Sequence, residues 1–162
     1  MAERRIGALL VIERTDKLRE WVTGCFPITG PPTPELLVSL FQKNSSLHDG
    51  AALIRGGEVF SASCYLPLTP AEGLPNEWGT RHRAALGLSE RCDAWVVVIS
   101  EERGEVSLAG GGRMVRMHKP EELSLKLLEG VAPPRRKKAW KDSLLFLFTN
   151  RWQAKLVTVA LV

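Results

Sequence analysis

Ala51-Ala52-Leu53-Ile54-Arg55-Gly56-Gly57-Glu58-Val59-Phe60-Ser61-Ala62-Ser63 is the stretch on which the fold turns. Two runs of strand-forming residues flank a Gly-Gly pair, and such a pair tolerates the positive φ angles that a tight hairpin needs. The hairpin makes at least one strand pair antiparallel. Further out, Ala8-Leu9-Leu10-Val11-Ile12 and residues 94–99 are short continuous apolar runs rich in branched side chains, the signature of strands buried on both faces. Residues 106–109 and 114–117 flank another glycine turn, Gly110 to Gly112, and add two more strands.

Helical signals lie between these runs. Thr33-Pro34 supplies a cap and a first-turn proline, with Leu36, Leu37, Leu40 and Phe41 following at helical spacing. Residues 80–91 place Ala84, Ala85 and Leu88 on one face, and residues 120–128 read as a last helix. Thr15 reads as the cap of a further short helix over 16–22, stopping near Gly24. Residues 66–78, with Pro67, Pro70, Gly73 and Pro75, form a loop. Strands and helices thus interleave, with hairpins among them. The expected fold is α/β: a twisted mixed parallel and antiparallel sheet covered by helices.

The 162 residues suit one compact domain and a tail. Pro133-Pro134 and the basic run Arg135-Arg136-Lys137-Lys138 place the boundary between a domain at 1–132 and a basic, partly apolar tail at 133–162. The net charge is +4, but residues 1–132 carry fifteen Lys and Arg against seventeen Asp and Glu. All of the positive excess lies in the tail, so no nucleic-acid partner is expected for the main domain. Residues 1–6 are charged and do not read as a signal peptide, and no apolar stretch reaches the roughly 18 residues of a spanning helix. Cys25, Cys64 and Cys92 form neither a C-x-x-C pair nor a zinc pattern, and reduced thiols without a catalytic role are expected.

Four stretches can carry chemistry. Gly79-Thr80-Arg81-His82-Arg83 leaves a proline-rich loop at the start of a helix, where free backbone N–H groups, a hydroxyl and two guanidinium groups can hold phosphate oxygens. His82 adds a donor or a proton carrier. The alternative is a solvated basic helix start with Thr80 as a plain cap. His48-Asp49-Gly50-Ala51, at a strand entrance, can hold a divalent cation or orient a sugar hydroxyl, against the blander alternative of an Asp-Gly turn. Ser100-Glu101-Glu102 ends a buried strand, where α/β sheets usually place ligands, although a solvated turn has the same residues. Tyr65 stands where a strand meets the loop and can stack on a base or simply pack at the rim. Together these residues suit metal-assisted chemistry on a nucleotide without naming the reaction.

In this order, the stretches resemble the diadenylate cyclase (DAC) family. The matching pieces are Gly7 to Arg14, Leu47-His48-Asp49-Gly50-Ala51, Leu66-Pro67-Leu68, Gly79 to Ala85, Gly87-Leu88-Ser89-Glu90 and Val98 to Glu102 with Gly104 and Ser107. The similarity covers roughly residues 6–118 and is strongest to the membrane-anchored members. It implies the DAC-domain fold and condensation of two ATP into cyclic di-AMP with release of two pyrophosphates, a bacterial second-messenger synthesis. It implies Mn²⁺ or Mg²⁺, with Asp49, His48 and Glu102 as metal-ligand candidates and Asp49 beside the reacting 3′-hydroxyl. Thr80, Arg81, His82 and Arg83 would hold the triphosphate. Gly50, Ala51, Tyr65, Leu66, Gly79 and Ser100 would line the ATP site, with Tyr65 stacked on adenine. Each domain binds one ATP, so a face-to-face homodimer about a two-fold axis is required to close the ring. The resemblance also implies a cytoplasmic domain at the inner face of the cell membrane in the full-length protein. In the tail, Asn150 to Leu156 resembles the start of a membrane helix in YbbR-type partner proteins. It implies a membrane or YbbR-type regulator contact there; an amphipathic helix packing on the domain is the other reading.

Overall fold

The computed structural model describes residues 1–131; the tail at 133–162, and the regulator contact expected of it, lie outside the described residues. Seven strands form one sheet: β1 (Ala8–Ile12), β2 (Phe26–Gly30), β3 (Ala51–Arg55), β4 (Glu58–Cys64), β5 (Trp95–Ile99), β6 (Val106–Gly110) and β7 (Arg113–Met117). Their spatial order is β2-β4-β3-β1-β5-β6-β7. Only β1 and β3 pair in parallel, with Leu10 opposite Ala52, and every other neighbouring pair is antiparallel. The sheet is mixed, as the hairpin required. Gly56 and Gly57 have φ of 58° and 84°, the positive angles of that turn.

Three helices cover the sheet: α1 (Pro34–Phe41), α2 (Thr80–Ser89) and α3 (Pro120–Val131). Strand alternation decides which helix meets which residue. Leu9, Val11, Leu53, Val96 and Val98 turn to one face, where Ala84, Ala85 and Leu88 of α2 join them. Ala8, Ala52 and Ile99 turn to the other face and meet Leu40 and Phe41 of α1. Val97, Leu108 and Met117 share that second face with Leu123 and Leu127 of α3. Gly87 lets α2 lie against the loop, because a Cβ there would run into the backbone of Pro67, Leu68 and Thr69.

Three expectations change. The helix over 16–22 is reduced to a 3-10 turn at Leu18–Glu20. The Thr15 and Asp16 amides bond instead to the Asp93 carboxylate at 3.1 and 3.0 Å, so a tertiary partner takes the groups a helix start would have used. β2 is an added strand, and its Pro27 is tolerated because β2 is an edge strand. Cys25 and Cys64 are joined as a disulfide, leaving Cys92 free and buried. Thr23 and Tyr65 form a β-bridge beside the pair, and this cross-strand register brings together cysteines 39 residues apart in sequence.

Candidate active site

A cleft of about 690 Å³ opens at one end of the sheet. That volume lies in the range of small-molecule and cofactor sites. The sheet topology explains what meets there. The starts of the parallel strands β1 and β3 lie at the same end as the finish of β4 and of β5, which run antiparallel to them. Leu9, Asp49 and Gly50 therefore face Cys64, Tyr65 and Leu66, and Ser100, Glu101 and Glu102 follow β5 into the same space. The N-terminus of α2 closes the ring with Gly79, Thr80, Arg81 and His82. Gly79 is the N-cap, and Thr80 is not a capping side chain: no side-chain cap bond is made.

Ten of the sequence-derived candidates line this one cleft: Asp49, Gly50, Tyr65, Leu66, Gly79, Thr80, Arg81, His82, Ser100 and Glu102. Three do not. Ala51 is fully buried at the start of β3, opposite Cys64. Arg83 is exposed on α2, outside the lining. His48 stands just outside the lining, with Nδ1 2.7 Å from the carbonyl of Ser45. A carbonyl only accepts, so Nδ1 is the donor here, and Nε2 is the ring nitrogen left to face a metal ion.

Gly50 has a φ of 96°, and a Cβ on it would lie 2.7 Å from the carbonyl carbon of Ser63 and 2.9 Å from N and O of Cys64. Glycine is therefore what lets the Asp49 segment cross β4 so closely. Tyr65 is 53% exposed at the mouth. Its ring lies on Gly24, where a Cβ would stand 2.6 Å from Cδ2. His82 is buried and stacks on Trp78, with centroids 6.0 Å apart and planes 13° apart. Burial pushes its pKa below the ordinary value, which keeps the imidazole neutral at pH 7.

Sequence reasoning singled out the Ser100-Glu101-Glu102 stretch without giving Glu101 a role, and it passed over Lys43. Glu101 bonds Arg81 Nη1 at 3.2 Å through Oε2 and meets Lys43 Nζ at 2.7 Å through Oε1. The hydrogen bonds from Lys43 and Arg81 lower its pKa. Glu101 was visible in Ser-Glu-Glu, whereas nothing local marks Lys43, just beyond α1. A second cavity of about 220 Å³ adjoins the cleft across Glu77, His82 and Ser100.

Among the described residues no three His, Cys, Asp or Glu side chains gather as a metal-binding group. Asp49 and Glu102 nevertheless line the same cleft as Arg81. One or two carboxylates completed by substrate phosphates are how Mg²⁺ is usually held in nucleotide sites, so this donor set fits such an ion.

Fold and cleft together define a mixed α/β domain with a basic helix start, two acidic turns and an exposed aromatic at one sheet end. Residues 1–114 match the family described as DisA bacterial checkpoint controller nucleotide-binding, and the chain belongs to this DAC family. It is 43% identical over 138 residues to the diadenylate cyclase of Listeria monocytogenes, covering 85% of this chain and 50% of that protein. It is 40% identical over 152 residues to the cyclic di-AMP synthase CdaA of Bacillus subtilis, covering 94% of this chain and 52% of that protein. The chain thus spans about half the length of these curated relatives. The crystal structure of DacA from Staphylococcus aureus, an N166C/T172C double mutant, superposes with a TM-score of 0.77 at 38% identity, covering 82% of this chain and 89% of that one. A hypothetical membrane spanning protein from Bacillus cereus superposes with a TM-score of 0.70 at 40% identity, covering 73% and 58%.

Proposed function

We propose that this chain is the catalytic domain of a diadenylate cyclase, a nucleotidyltransferase that joins two ATP into cyclic di-AMP. The observation that carries the reading is the convergence of Asp49, Tyr65, Thr80, Arg81, Ser100 and Glu102 on one cleft in a chain of the DAC family. Tyr65 offers its exposed ring to adenine, and the backbone at Leu66 reads the base edge. Gly50 and Gly79 let main chain approach the nucleotide. Thr80 and Arg81, with the N–H groups of the first turn of α2, hold the triphosphate. His82 donates a ring N–H to it. Arg83 stands on the outer side of the same turn, where phosphate of an opposing domain's nucleotide is its natural ligand.

Asp49 faces the attacking 3′-hydroxyl and, with Glu102 and His48, holds Mn²⁺ or Mg²⁺. When bound, that ion supplies charge stabilisation for the phosphoryl group. Each 3′-oxygen forms a bond to the α-phosphorus of the other ATP while the bond from that phosphorus to the α,β-bridging oxygen breaks. Each hydroxyl proton passes to solvent water, and pyrophosphate leaves twice. Arg81 offsets negative charge that grows on the leaving group. One cleft holds one ATP, so two domains meet face to face about a two-fold axis, each contributing a nucleotide positioned in line. The pairing is transient, since a permanent dimer would trap product. Sedimentation showing one tight dimer with and without ATP would remove that feature.

In the full-length protein we place the domain at the inner face of the cell membrane, with a membrane or YbbR-type regulator reached through the tail. One structural neighbour, called membrane spanning, supports this placement. Among the described residues no helix is long and apolar enough to cross a membrane.

The deciding experiment incubates the protein with ATP and Mn²⁺ or Mg²⁺ and identifies products by chromatography and mass spectrometry. Cyclic di-AMP and pyrophosphate are expected, and Asp49→Asn should abolish both while leaving the circular dichroism spectrum unchanged. ATP binding without product under either metal would reduce the protein to a nucleotide-binding module.

A further inference from the structure

Arg81 is not free to swing in its cleft. Its side chain is 27% exposed, and Nη1 lies where a Cβ on Gly7 would come within 2.5 Å, so the guanidinium occupies the notch that Gly7 leaves at the entrance to β1. Glu101 accepts from the same nitrogen at 3.2 Å and holds Lys43 Nζ at 2.7 Å on its other oxygen. The Cβ of Glu101 also borders the Gly7 notch, at 2.9 Å from where a Gly7 Cβ would stand. One carboxylate thus faces two cations. The triad carries a net charge of +1, which leaves it attractive to a polyanion while its members are held in place.

We infer that Glu101 is a positioning residue, bracketing Arg81 against Gly7, and that Lys43 is a second cation for the β- or γ-phosphate of a nucleoside polyphosphate. The reason is entropic and electrostatic at once. Fixing an unrestrained Arg or Lys side chain costs much of its rotamer freedom. Glu101 imposes that order before the ligand arrives. The ligand's phosphates then meet two preset cations with unsatisfied charge. Lys43 is 82% exposed at the side chain and comes from the segment after α1, far in sequence from the other phosphate-binding residues. Its reach across to Glu101 brings it to the rim of the cleft.

This inference rests on the nucleotide-site reading above, and its test is arranged so that the two fail separately. Binding of the α,β-methylene analogue of ATP, which cannot release pyrophosphate, is measured by calorimetry with and without Mg²⁺, alongside turnover of ATP. Glu101→Gln removes a negative charge next to the phosphates but loosens Arg81. Lost pre-ordering of Arg81 and lost repulsion of the phosphates oppose each other, so analogue affinity is expected to stay within about threefold of wild type, while turnover falls on the order of tenfold or more, since misplacement by about 1 Å can cost a factor of 10². Glu101→Asp should restore part of the turnover. Lys43→Met should weaken analogue binding about three- to tenfold and flatten its salt dependence, as loss of one exposed phosphate contact does.

Analogue affinity falling in proportion to turnover in Glu101→Gln would overturn the positioning role. So would loss of the Mg²⁺ enhancement of binding, because Glu101 would then be an ion ligand. Unchanged affinity and salt slope in Lys43→Met would remove Lys43 from the site. Analogue binding that follows these expectations in a wild-type protein that makes no product would retain the bracket and discard the cyclase.

Discussion

The hydroxyl of Ser63 donates a 2.8 Å hydrogen bond to the main-chain carbonyl of Asp49, fourteen residues earlier in the chain. Ser63 adopts φ of 55° at a point where the β3–β4 register slips, so a bulge in β4 turns its hydroxyl toward the Asp49 carbonyl. Bulges of this kind often re-aim groups beside active sites. The finding links the hairpin that defines the sheet to the carboxylate proposed to face the 3′-hydroxyl.

Ser63→Ala keeps the backbone cost of the left-handed conformation and loses the bond. We expect a loss of about 1 kcal/mol in urea unfolding, the usual net worth of one hydrogen bond, with cyclic di-AMP synthesis falling several-fold. Ser63→Gly separates the two effects. It relieves about 1 kcal/mol of left-handed strain and should melt near the wild-type temperature, yet remain slow.

Gly50→Ala is expected to be far more damaging. A Cβ at φ of 96° would meet backbone atoms of Ser63 and Cys64 at 2.7 to 2.9 Å, and backbone yields less readily than a flexible side-chain end. A cost of about 2 kcal/mol or more follows from the strain, together with loss of synthesis. Thermal unfolding and the product assay on the same sample check both.

The Cys25–Cys64 bond predicts a thiol count. Denatured without reductant, the protein should present Cys92 alone to a thiol reagent, and after reduction all three cysteines. Cys25→Ser should lower unfolding free energy by about 2–4 kcal/mol relative to the oxidised wild type, the usual worth of such a bridge. Under reducing conditions the two proteins should unfold alike.

Glu13 predicts the acid limb of stability. Its side chain is buried, and Arg55 grips it with Nε at 2.6 Å and Nη2 at 2.8 Å. The hydrogen bond from Arg55 lowers the Glu13 pKa, outweighing the opposing effect of burial. A depressed carboxyl stabilises the fold above its unfolded pKa, near 4.3, and that contribution disappears as pH falls through the lower folded value. Arg55→Met should cost about 2 kcal/mol at pH 7, reduced from the full buried-pair value because Arg55 is half exposed. Because Glu13 is no longer held low in the variant, its deficit relative to wild type should shrink as pH falls below the unfolded carboxyl value, as read by urea unfolding from about pH 3 to 8.

Much of this architecture was legible locally. Gly56-Gly57 between two strand-forming runs demanded an antiparallel pair, and branched apolar runs at Ala8–Ile12 and Trp95–Ile99 marked the buried centre of the sheet. Thr33 caps α1 by accepting from the Leu36 amide at 3.3 Å, as its place before Pro34 suggested. These features depend on neighbours within a few residues. Motif order was equally legible: Asp-Gly-Ala, Gly-Thr-Arg-His-Arg and Ser-Glu-Glu supplied most of the residues that now line the cleft.

Other features depend on partners remote in sequence. Phe26-Pro27-Ile28-Thr29-Gly30 becomes a strand because β4 offers its free edge, which no property of those five residues announces. The 16–22 segment gives up its helix to Asp93, 77 residues away. Cys25 meets Cys64, and Lys43 meets Glu101, only because the sheet order carries β4 and β5 to the same end. Spacing, capping and turn chemistry are short-range properties and can be read from the chain itself. Which exposed cation meets which carboxylate is decided by strand order and register, so only the folded sheet could choose Glu101 as the partner of both Arg81 and Lys43.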